Sequence, residues 1–251
     1  MKLSVAIITF NEEINIGRCL DSVLDIADEI VIIDSYSTDR TREICEKYPL
    51  RFILNPFDGH IEQKNFALSQ CQFDYVLSLD ADEEISLPLQ NEIQQIKQKN
   101  LTGNYRMNRM TNYCGKWIKH GAWYPDCKLR LVNRHEALWQ GINPHDELKI
   151  SGIQGSSKLK GDILHYSFPT FSDHLQKAEK YSTIQAEAMF KLGKNAGILA
   201  IICKPVIRFI RDYIIRLGFM DAYAGYRIAT VTSWTTRLKY MKLYDLSKSV
   251  K

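Results

Sequence analysis

Four short apolar segments, each followed by a segment with helical periodicity, constrain the fold of this chain more than any other feature. The β-branched run at residues 3–9 precedes apolar groups that recur every three or four residues over 14–24. Similar runs at 29–34, 51–54 and 75–80 each lead into a segment of helical character. Strands that alternate with helices indicate βαβ units and a mostly parallel sheet covered on both faces. The sequence therefore predicts an α/β fold.

The chain changes character after about residue 100. Aromatic and glycine-rich segments there predict antiparallel strands and long loops, and a helical pattern returns from about Phe171. With 251 residues, 45% of them hydrophobic and 25% charged, the chain is long and apolar enough to bury a core without disulfide or metal staples.

The cysteines and the N-terminal segment indicate a cytoplasmic protein. The six cysteines lie in separate segments and form no CxxC pair, so neither a zinc cluster nor a disulfide framework is predicted. The first apolar run follows a single lysine and ends in Asn11 and two glutamates. It is too short to span a membrane and lacks a small-residue cleavage site, so we expect a buried first strand.

An acidic segment, LDADEE at 79–84, follows the fourth predicted strand. In α/β sheets ligands bind outside the carboxyl ends of the strands. Two carboxylates at Asp80 and Asp82 can converge on one divalent cation, which takes oxygen ligands and would neutralise a diphosphate. The alternatives are an acidic cluster at a helix N-terminus and a solvated turn.

A second polar segment follows the second predicted strand. Asp34 at the strand end can accept hydrogen bonds from a base or ribose, and residues 35–38 offer hydroxyl and backbone N–H groups. In the alternative interpretation, Asn11, Ser37 or Asp39 caps a helix.

Taken together, TFNEE, VIIDSYSTDRT and LDADEE, in this order and spacing over residues 3–85, resemble the family 2 glycosyltransferases, whose nucleotide-binding fold is called GT-A. RMNRMTNYCGKWIKHGAWYPDCKLRLVNR, HDEL and HYSFPTFSDH are similar to the lipopolysaccharide core glucosyltransferases of that family. The resemblance implies a mostly parallel central sheet with flanking helices. It implies a GT-A catalytic domain at 1–170, with a nucleotide-binding half at 1–100 and an acceptor-binding half at 101–170, and a helical extension at 171–251.

The resemblance also implies a UDP-sugar donor and a divalent cation, Mn²⁺ or Mg²⁺. It assigns the uridine pocket to residues 9–12 and Asp34, with Asp34 on the nucleobase. It assigns the ribose or the metal to Asp80 and the direct metal bond to Asp82. Lys64 matches a basic position near the donor, although a solvated helix lysine is the alternative. The predicted donor-binding residues are Thr9, Asn11, Glu12, Asp34, Lys64 and Asp80.

Family 2 enzymes invert the anomeric carbon by a single displacement, which requires one carboxylate to deprotonate the acceptor hydroxyl. The resemblance places that base in the His-acid motif, His145-Asp146-Glu147-Leu148. We expect Asp146 to be the base because Leu148 then keeps its usual spacing. Glu147 is the alternative, and a non-catalytic surface turn is a third.

Five other residues are further candidates, and the histidine and the aromatic residues among them have a packing alternative. His165 is a further metal or phosphate ligand, or a packed histidine. Arg130 pairs with a donor or acceptor phosphate. Trp117, Trp123 and Tyr124 stack on sugar rings or form a small satellite core.

The C-terminal segment is basic. From Lys191 onward, twelve Lys and Arg residues against three Asp and Glu give a net charge of +9, which leaves −5 for residues 1–190. The predicted helix at 204–219 has one charged face and one apolar face, and the charged face carries Lys204, Arg208, Arg211, Asp212 and Arg216. Its charges exclude a spanning helix, so it lies on an anionic membrane surface or docks its apolar face on the protein body. No recognition motif for nucleic acid accompanies it.

The sequence thus predicts a metal-dependent inverting hexosyltransferase, peripheral on the cytoplasmic face of the inner membrane. It is expected to move glucose from UDP-glucose to a heptose of the lipopolysaccharide inner core, a lipid-linked glycan. One alternative is another family 2 transferase with a different cell-surface glycan. The others are a sugar nucleotidyltransferase, whose glycine-rich basic loop is absent here, and a non-catalytic nucleotide-sugar-binding protein.

Overall fold

The structure, a computed structural model, describes residues 1–142, 145–151 and 155–248. The chain folds into two compact units. Unit 1 comprises Met1–Arg109 and Asp126–Tyr166, and unit 2 comprises Met110–Pro125 and Ser167–Lys251. The chain therefore passes between the units three times. The boundary at residue 100 between the nucleotide-binding and acceptor-binding halves, and the boundary at residue 170 before the helical extension, stay predictions.

The N-terminal part of unit 1 consists of alternating strands and helices. The four strands pair in parallel in the order β3-β2-β1-β4. They are β1 (Leu3–Thr9), β2 (Glu29–Asp34), β3 (Arg51–Leu54) and β4 (Tyr75–Asp80). The helices are α1 (Ile16–Val23), the five-residue α2 (Thr41–Cys45) and α3 (His60–Gln70). All four strands lie where the apolar runs predict them.

Helices cover both faces of this parallel sheet, which explains why its strands are continuously apolar. Ile7 pairs with Ile32 of β2 and Leu79 of β4, and all three side chains belong to a core that includes residues of α1. The alternate residues, such as Ala6 and Val31, pack in a second core with residues of α3.

The sheet becomes antiparallel after β4, as predicted for the chain beyond residue 100. The elements here are β5 (Glu83–Ile85), α4 (Leu87–Gln98), β6 (Asn104–Tyr113), β7 (Lys116–Trp117), β8 (Asp126–Asn133), β9 (Ala137–Ile142), β10 (His145–Ile150) and β11 (Ser156–Phe168). β4 pairs with β8 antiparallel, and the whole sheet has the order β3-β2-β1-β4-β8-β6-β11-β5, with β7 paired to β6. β9 and β10 form a separate two-stranded hairpin. The predicted α/β class is confirmed.

Unit 2 is largely helical. Its helices are α5 (Phe171–Lys191), α6 (Ile198–Phe209) and α7 (Ala222–Lys248), and α7 packs on both others. A capping box starts α5: Thr170 Oγ1 accepts from the N–H of Asp173, whose carboxylate accepts from the N–H of Thr170. Helix from Phe171 onward is therefore confirmed.

The helix predicted over 204–219 extends only to Ile215 and is α-helical only as far as Phe209. α6 ends at Phe209 and is followed by a π-helical segment at Ile210–Ile215 and a 3₁₀ turn at Gly218–Asp221. The chain turns back after Ile215, and this turn has a packing reason: a Cβ on Gly218 would lie 2.5 Å from the carbonyl oxygen of Asp212, so only glycine lets the chain fold back this closely.

The two faces of this segment are also not oriented as its amphipathic pattern suggests. Asp212 is buried, and its carboxylate accepts from Arg208 at 2.5 Å and from Arg211 at 2.8 Å. Ile207, 60% exposed, and Ile214, 54% exposed, are in contrast open to solvent. Within unit 2 most of this apolar face is therefore exposed. Among the described residues no helix combines the length and apolar character needed to cross a bilayer.

Candidate active site

The ends of β1 and β2 are joined by a network of short hydrogen bonds. Ser37 donates its N–H and its hydroxyl to the carboxylate of buried Asp34, at 2.7 and 2.5 Å. Asn11 donates its N–H to Ser37 Oγ at 2.8 Å and accepts from the N–H of Thr38 at 2.8 Å. Asn11 has a φ of 53°, a left-handed conformation that asparagine tolerates better than most residues. The two loops therefore form one ordered edge.

None of the three residues considered as helix caps is the N-cap of a described helix. The N-cap of α2 is Arg40, and Asp39, one residue before it, accepts from the N–H of Thr41 at 3.0 Å. Asn11 and Ser37 instead join the two strand ends.

Thr9 and Glu12 lie on the same edge. Thr9 is buried, and its hydroxyl oxygen has no hydrogen-bond partner among the described residues. Glu12 donates its N–H to Thr41 Oγ1 at 2.8 Å, and its carboxylate accepts from Asn15 at 2.7 Å. The four residues predicted to hold the uridine, Thr9, Asn11, Glu12 and Asp34, are thus brought together.

The acidic segment after β4 is an ordered turn held by Glu83. The carboxylate of Glu83 is fully buried, and it accepts from the N–H of Asp80 at 3.0 Å and from Arg130 at 2.9 Å. Glu83–Ile85 forms β5, which pairs with β11, and the next helix begins only at Leu87. The alternatives of a helix N-terminal cluster and a solvated turn are therefore wrong for this segment.

Asp80 lies between two cations. Lys64 Nζ is 2.9 Å from Asp80 Oδ1 and 3.3 Å from Oδ2, and Arg130 Nη2 is 3.4 Å from Oδ2. Burial alone would raise the pKa of Asp80, but the charges of Lys64 and Arg130 outweigh it and hold the pKa well below its usual value. Asp80 is therefore ionised, and its charge is already compensated. Lys64, 5% exposed, is not the solvated helix lysine of the alternative interpretation.

Asp146 reaches the same lysine from the β9–β10 hairpin. Lys64 Nζ donates to Asp146 Oδ2 at 2.7 Å, and the Asp146 side chain is 14% exposed. Successive side chains of a strand point to opposite faces, so Glu147 points away from the side where Asp146 meets Lys64. Its side chain is 73% exposed and lies 3.9 Å from Lys149. The structure thus joins Asp146 to Asp80 through Lys64 and leaves Glu147 outside. The side chain of His145 lies outside the described part of the chain.

Contacts between α3 and the hairpin hold Lys64 in this position. Asn65 donates to the carbonyl of Trp139 and accepts from its N–H, both at 2.9 Å. The ammonium group of Lys64 lies 4.4 Å from the ring centroid of Trp139, within the range of a cation–π contact. The position of Lys64 is therefore fixed from both sides.

Comparison with known proteins identifies the family. The model of glycosyl transferase family 2 matches residues 4–143, more than half of the chain. The chain belongs to glycosyltransferase family 2. The predicted GT-A fold, an α/β sheet with flanking helices and a C-terminal helical extension, is thereby confirmed.

Three relatives of this family 2 transferase illustrate its similarities. A glycosyltransferase of Rickettsia typhi is 32% identical over 98% of this chain and 88% of its own length. The lipopolysaccharide core biosynthesis glycosyltransferase LpsC of Rhizobium meliloti is 29% identical over 93% of this chain and 91% of its own. Among solved structures, S. aureus TarS is 15% identical, covers 100% of this chain and 92% of its own, and has a TM-score of 0.46.

The residues of the transferase fit a divalent cation only in part. Asp82 Oδ2 lies 3.1 Å from His165 Nε2, and an oxygen beside an imidazole nitrogen suits Mn²⁺. Within the described ranges no group of three or more His, Cys, Asp or Glu side chains is arranged to bind a metal ion without further ligands. Mg²⁺ sites in transferases commonly use one or two carboxylates and complete their shell with substrate phosphate. Asp82 fits this kind of site, and His165 beside it fits Mn²⁺ but not the oxygen shell of Mg²⁺. Asp80 is instead held by Lys64 and Arg130.

Sequence reasoning missed two residues of this charge network, Arg109 and Glu83. Arg109 donates to Asp126 at 2.9 Å and lies 3.5 Å from Glu83. Arg130, predicted to pair with a substrate phosphate, binds Glu83 and Asp80. The sequence carried a signal for Glu83. Arg130 lies inside the apolar strand segment LRLVN, and a buried arginine there requires an acidic partner.

The aromatic residues of the loop-rich region fall in unit 2. Trp123 stacks on Phe168, with ring centroids 5.1 Å apart, and packs edge-on against Tyr113. These rings form a small core with Ile118 and Ile228. For Trp123 the satellite-core interpretation therefore describes its packing.

Proposed function

We propose that this family 2 glycosyltransferase moves glucose from UDP-glucose to a heptose of a lipopolysaccharide inner core, with inversion at the anomeric carbon. The support for the acceptor is the relative LpsC, which is named for lipopolysaccharide core biosynthesis and matches 93% of this chain. UDP-glucose and the heptose come from the resemblance of the LDADEE, HDEL and HYSFPTFSDH segments.

The observation that carries the proposal is the single ammonium group of Lys64 between Asp80 and Asp146. Asp80 lies at the end of β4, at the sheet edge where ligands bind in an α/β fold and where we place the donor diphosphate. Asp146 is a carboxylate able to act as the base. Both are therefore within reach of one lysine, and so of one reaction centre.

In the proposed reaction, Asp146 accepts the proton of the acceptor hydroxyl as the oxygen attacks the anomeric carbon. The new C–O bond forms on the face opposite UDP, and the bond from the anomeric carbon to the diphosphate oxygen breaks with its electron pair leaving on UDP. Base catalysis of this kind contributes about 10²–10⁴-fold. The protonated Asp146 then returns its proton to solvent.

The leaving diphosphate must be stabilised as its negative charge grows. Lys64 carries a positive charge at this point and would bind a phosphate oxygen of the donor. Asp82 would hold Mn²⁺ or Mg²⁺, with His165 as a second ligand for Mn²⁺, and the cation when bound supplies further positive charge to the diphosphate. The nucleoside would lie along the edge formed by Thr9, Asn11, Glu12 and Asp34, where the unpaired hydroxyl of Thr9 supports a polar ligand.

We also propose that unit 2 binds the anionic cytoplasmic surface of the inner membrane. Exposed apolar side chains are concentrated in α6 and the segment after it, and exposed Lys204 and Arg216 accompany them. The members of this surface are Ile198, Leu199, Ile202, Val206, Ile207, Ile210, Ile214, Ile215, Leu217, Phe219 and Met220. An apolar surface edged by cations matches the interface of an anionic bilayer, and a lipid-linked acceptor would be presented there.

A donor screen tests the proposed reaction. The purified chain is incubated with Mn²⁺, each of several UDP- and GDP-sugars and a heptose-containing core fragment, and released nucleotide is measured. We expect release with UDP-glucose only when the acceptor is present. Acceptor-dependent release from another donor, with none from UDP-glucose, would contradict the donor assignment.

A further inference from the structure

Unit 2 contains a pocket that the proposed reaction does not use. It has a volume of about 220 Å³ and lies along α5 and α7, with Arg208 of α6 at its wall. Pockets for drug-sized ligands measure about 300–1,000 Å³, so this one suits a single small unit such as one sugar ring.

One wall of the pocket is aromatic. Trp123 and Phe168 stack with an interplanar angle of 20°, and His174 lies 5.2 Å from Trp123 and 4.9 Å from Phe168 between ring centroids. Burial, with Arg227 and Lys177 nearby, lowers the pKa of His174 to about 4, so this ring is neutral. The wall is therefore an uncharged ring surface, the kind on which the apolar face of a sugar stacks.

The pocket is also cationic. Lys177, Arg208 and Lys239 line it, and no acidic side chain is among the described lining residues. Lys177 lies beside the aromatic wall, with its ammonium group 5.0 Å from the ring centroid of Phe168. Asp212 pairs with both Arg208 and Arg211, so one negative charge faces two positive charges there. An excess of positive charge therefore remains beside the pocket. Burial and the charges of Arg208 and Lys204 lower the pKa of Lys239, which reflects cations crowded together.

Three threonines of α7 complete the lining. Thr235 donates its hydroxyl to the carbonyl of Val231, and Thr236 donates to that of Thr232. Both hydroxyl oxygens keep a lone pair that accepts from sugar hydroxyls. Ring surface, hydroxyl acceptors and cations thus surround one space.

We propose that this pocket binds an anionic saccharide unit, with its ring against Trp123 and Phe168 and its phosphate or carboxylate against Lys239, Arg208 and Lys177. The inference rests on unit 2 alone and stands whether or not the transfer reaction is as proposed.

Isothermal titration of the full chain in saturating UDP, which keeps the probes out of a donor site, tests this pocket. The probes are glucose 6-phosphate, glucuronate, methyl glucoside and inorganic phosphate. We expect at least one anionic sugar to bind about tenfold or more tightly than both methyl glucoside and inorganic phosphate, since a charge-assisted contact is worth that much. Tight binding of glucose 6-phosphate alone indicates a phosphate ligand, and of glucuronate alone a carboxylate. Equal binding of methyl glucoside, or of inorganic phosphate, overturns the proposal.

Matched variants locate the bound sugar. Lys239→Gln should weaken binding about tenfold, Lys239→Arg should retain it, and Arg237→Gln, a position on the same helix outside the pocket lining, should leave it unchanged. Circular dichroism verifies that each variant is folded. If a folded Lys239→Gln variant binds like wild type, or if Arg237→Gln weakens binding equally, the sugar binds elsewhere and the proposal is wrong.

Discussion

The ammonium group of Lys64 lies 2.7 Å from Asp146 Oδ2, although 82 positions separate the two residues in the chain. The same nitrogen is 2.9 Å from Asp80. One buried lysine therefore joins the segment after β4 to the β9–β10 hairpin, and the proposed donor acid to the proposed base.

Removing this lysine should destabilise the fold. Lys64→Met leaves two largely buried carboxylates without their shared cation, and breaking a buried ion pair costs about 3–5 kcal/mol. Because Asp80 is 23% exposed, we expect the lower end, about 3 kcal/mol in the free energy of unfolding by urea. Lys47→Met, which removes an exposed pair with Glu43, should cost less than about 1 kcal/mol. Equal effects of the two changes would contradict the structural role of Lys64.

Acid stability should depend on Asp80. Its pKa is depressed in the folded protein, so its contribution to stability is fully present above the usual pKa of aspartate, about 3.9, and is lost as the pH falls further. Urea unfolding from about pH 5 to about pH 2 should show this loss in wild type and a shallower one in Asp80→Asn. Asp58→Asn, at an exposed position, is the control. Parallel curves for wild type and Asp80→Asn would contradict the pairing.

The parallel half of the fold could be predicted from the sequence because its signals are local. The apolar runs of β1 to β4 and the polar residues at their ends follow from strand periodicity alone. Lys64 and Asp146 could be named as separate candidates, but their contact depends on how the hairpin packs on α3 through Asn65 and Trp139. Glu83 was missed because its carboxylate turns back to the N–H of Asp80, a bond that the pattern of acids does not reveal. The change to a π-helix after Phe209 and the end of the helix at Ile215 were missed because amphipathic spacing continues through both.

Metal binding should depend on Asp82. Asp82→Asn removes the charge that holds a cation, so Mn²⁺ binding measured by electron paramagnetic resonance in the presence of UDP should be lost, together with transfer. Asp74→Asn, an exposed acid, should bind Mn²⁺ like wild type. Full wild-type turnover in excess chelator would contradict metal dependence.

Membrane binding should depend on the apolar side chains of α6 and the segment after it. Changing Ile207, Ile210 and Ile214 to Ser should abolish co-sedimentation with anionic vesicles, because each exposed side chain loses its burial in the interface. Changing Lys204 and Arg216 to Gln should weaken it by about 1 kcal/mol each at low salt.

The control for this surface changes three exposed apolar residues of unit 1, Ile14, Leu54 and Leu87, to Ser. That variant should sediment with vesicles like wild type. Failure of the wild type itself to bind anionic vesicles at low salt would remove the membrane assignment.

The most direct test of the account compares Asp146→Asn with Glu147→Gln in acceptor-dependent UDP release and in UDP affinity. If Asp146 is the base, Asp146→Asn should lower kcat by about 10²–10⁴-fold while its Kd for UDP stays near the wild-type value. Glu147→Gln, whose side chain is 73% exposed, should retain kcat. An active Asp146→Asn variant beside an inactive Glu147→Gln variant would contradict the assignment of Asp146 as the base.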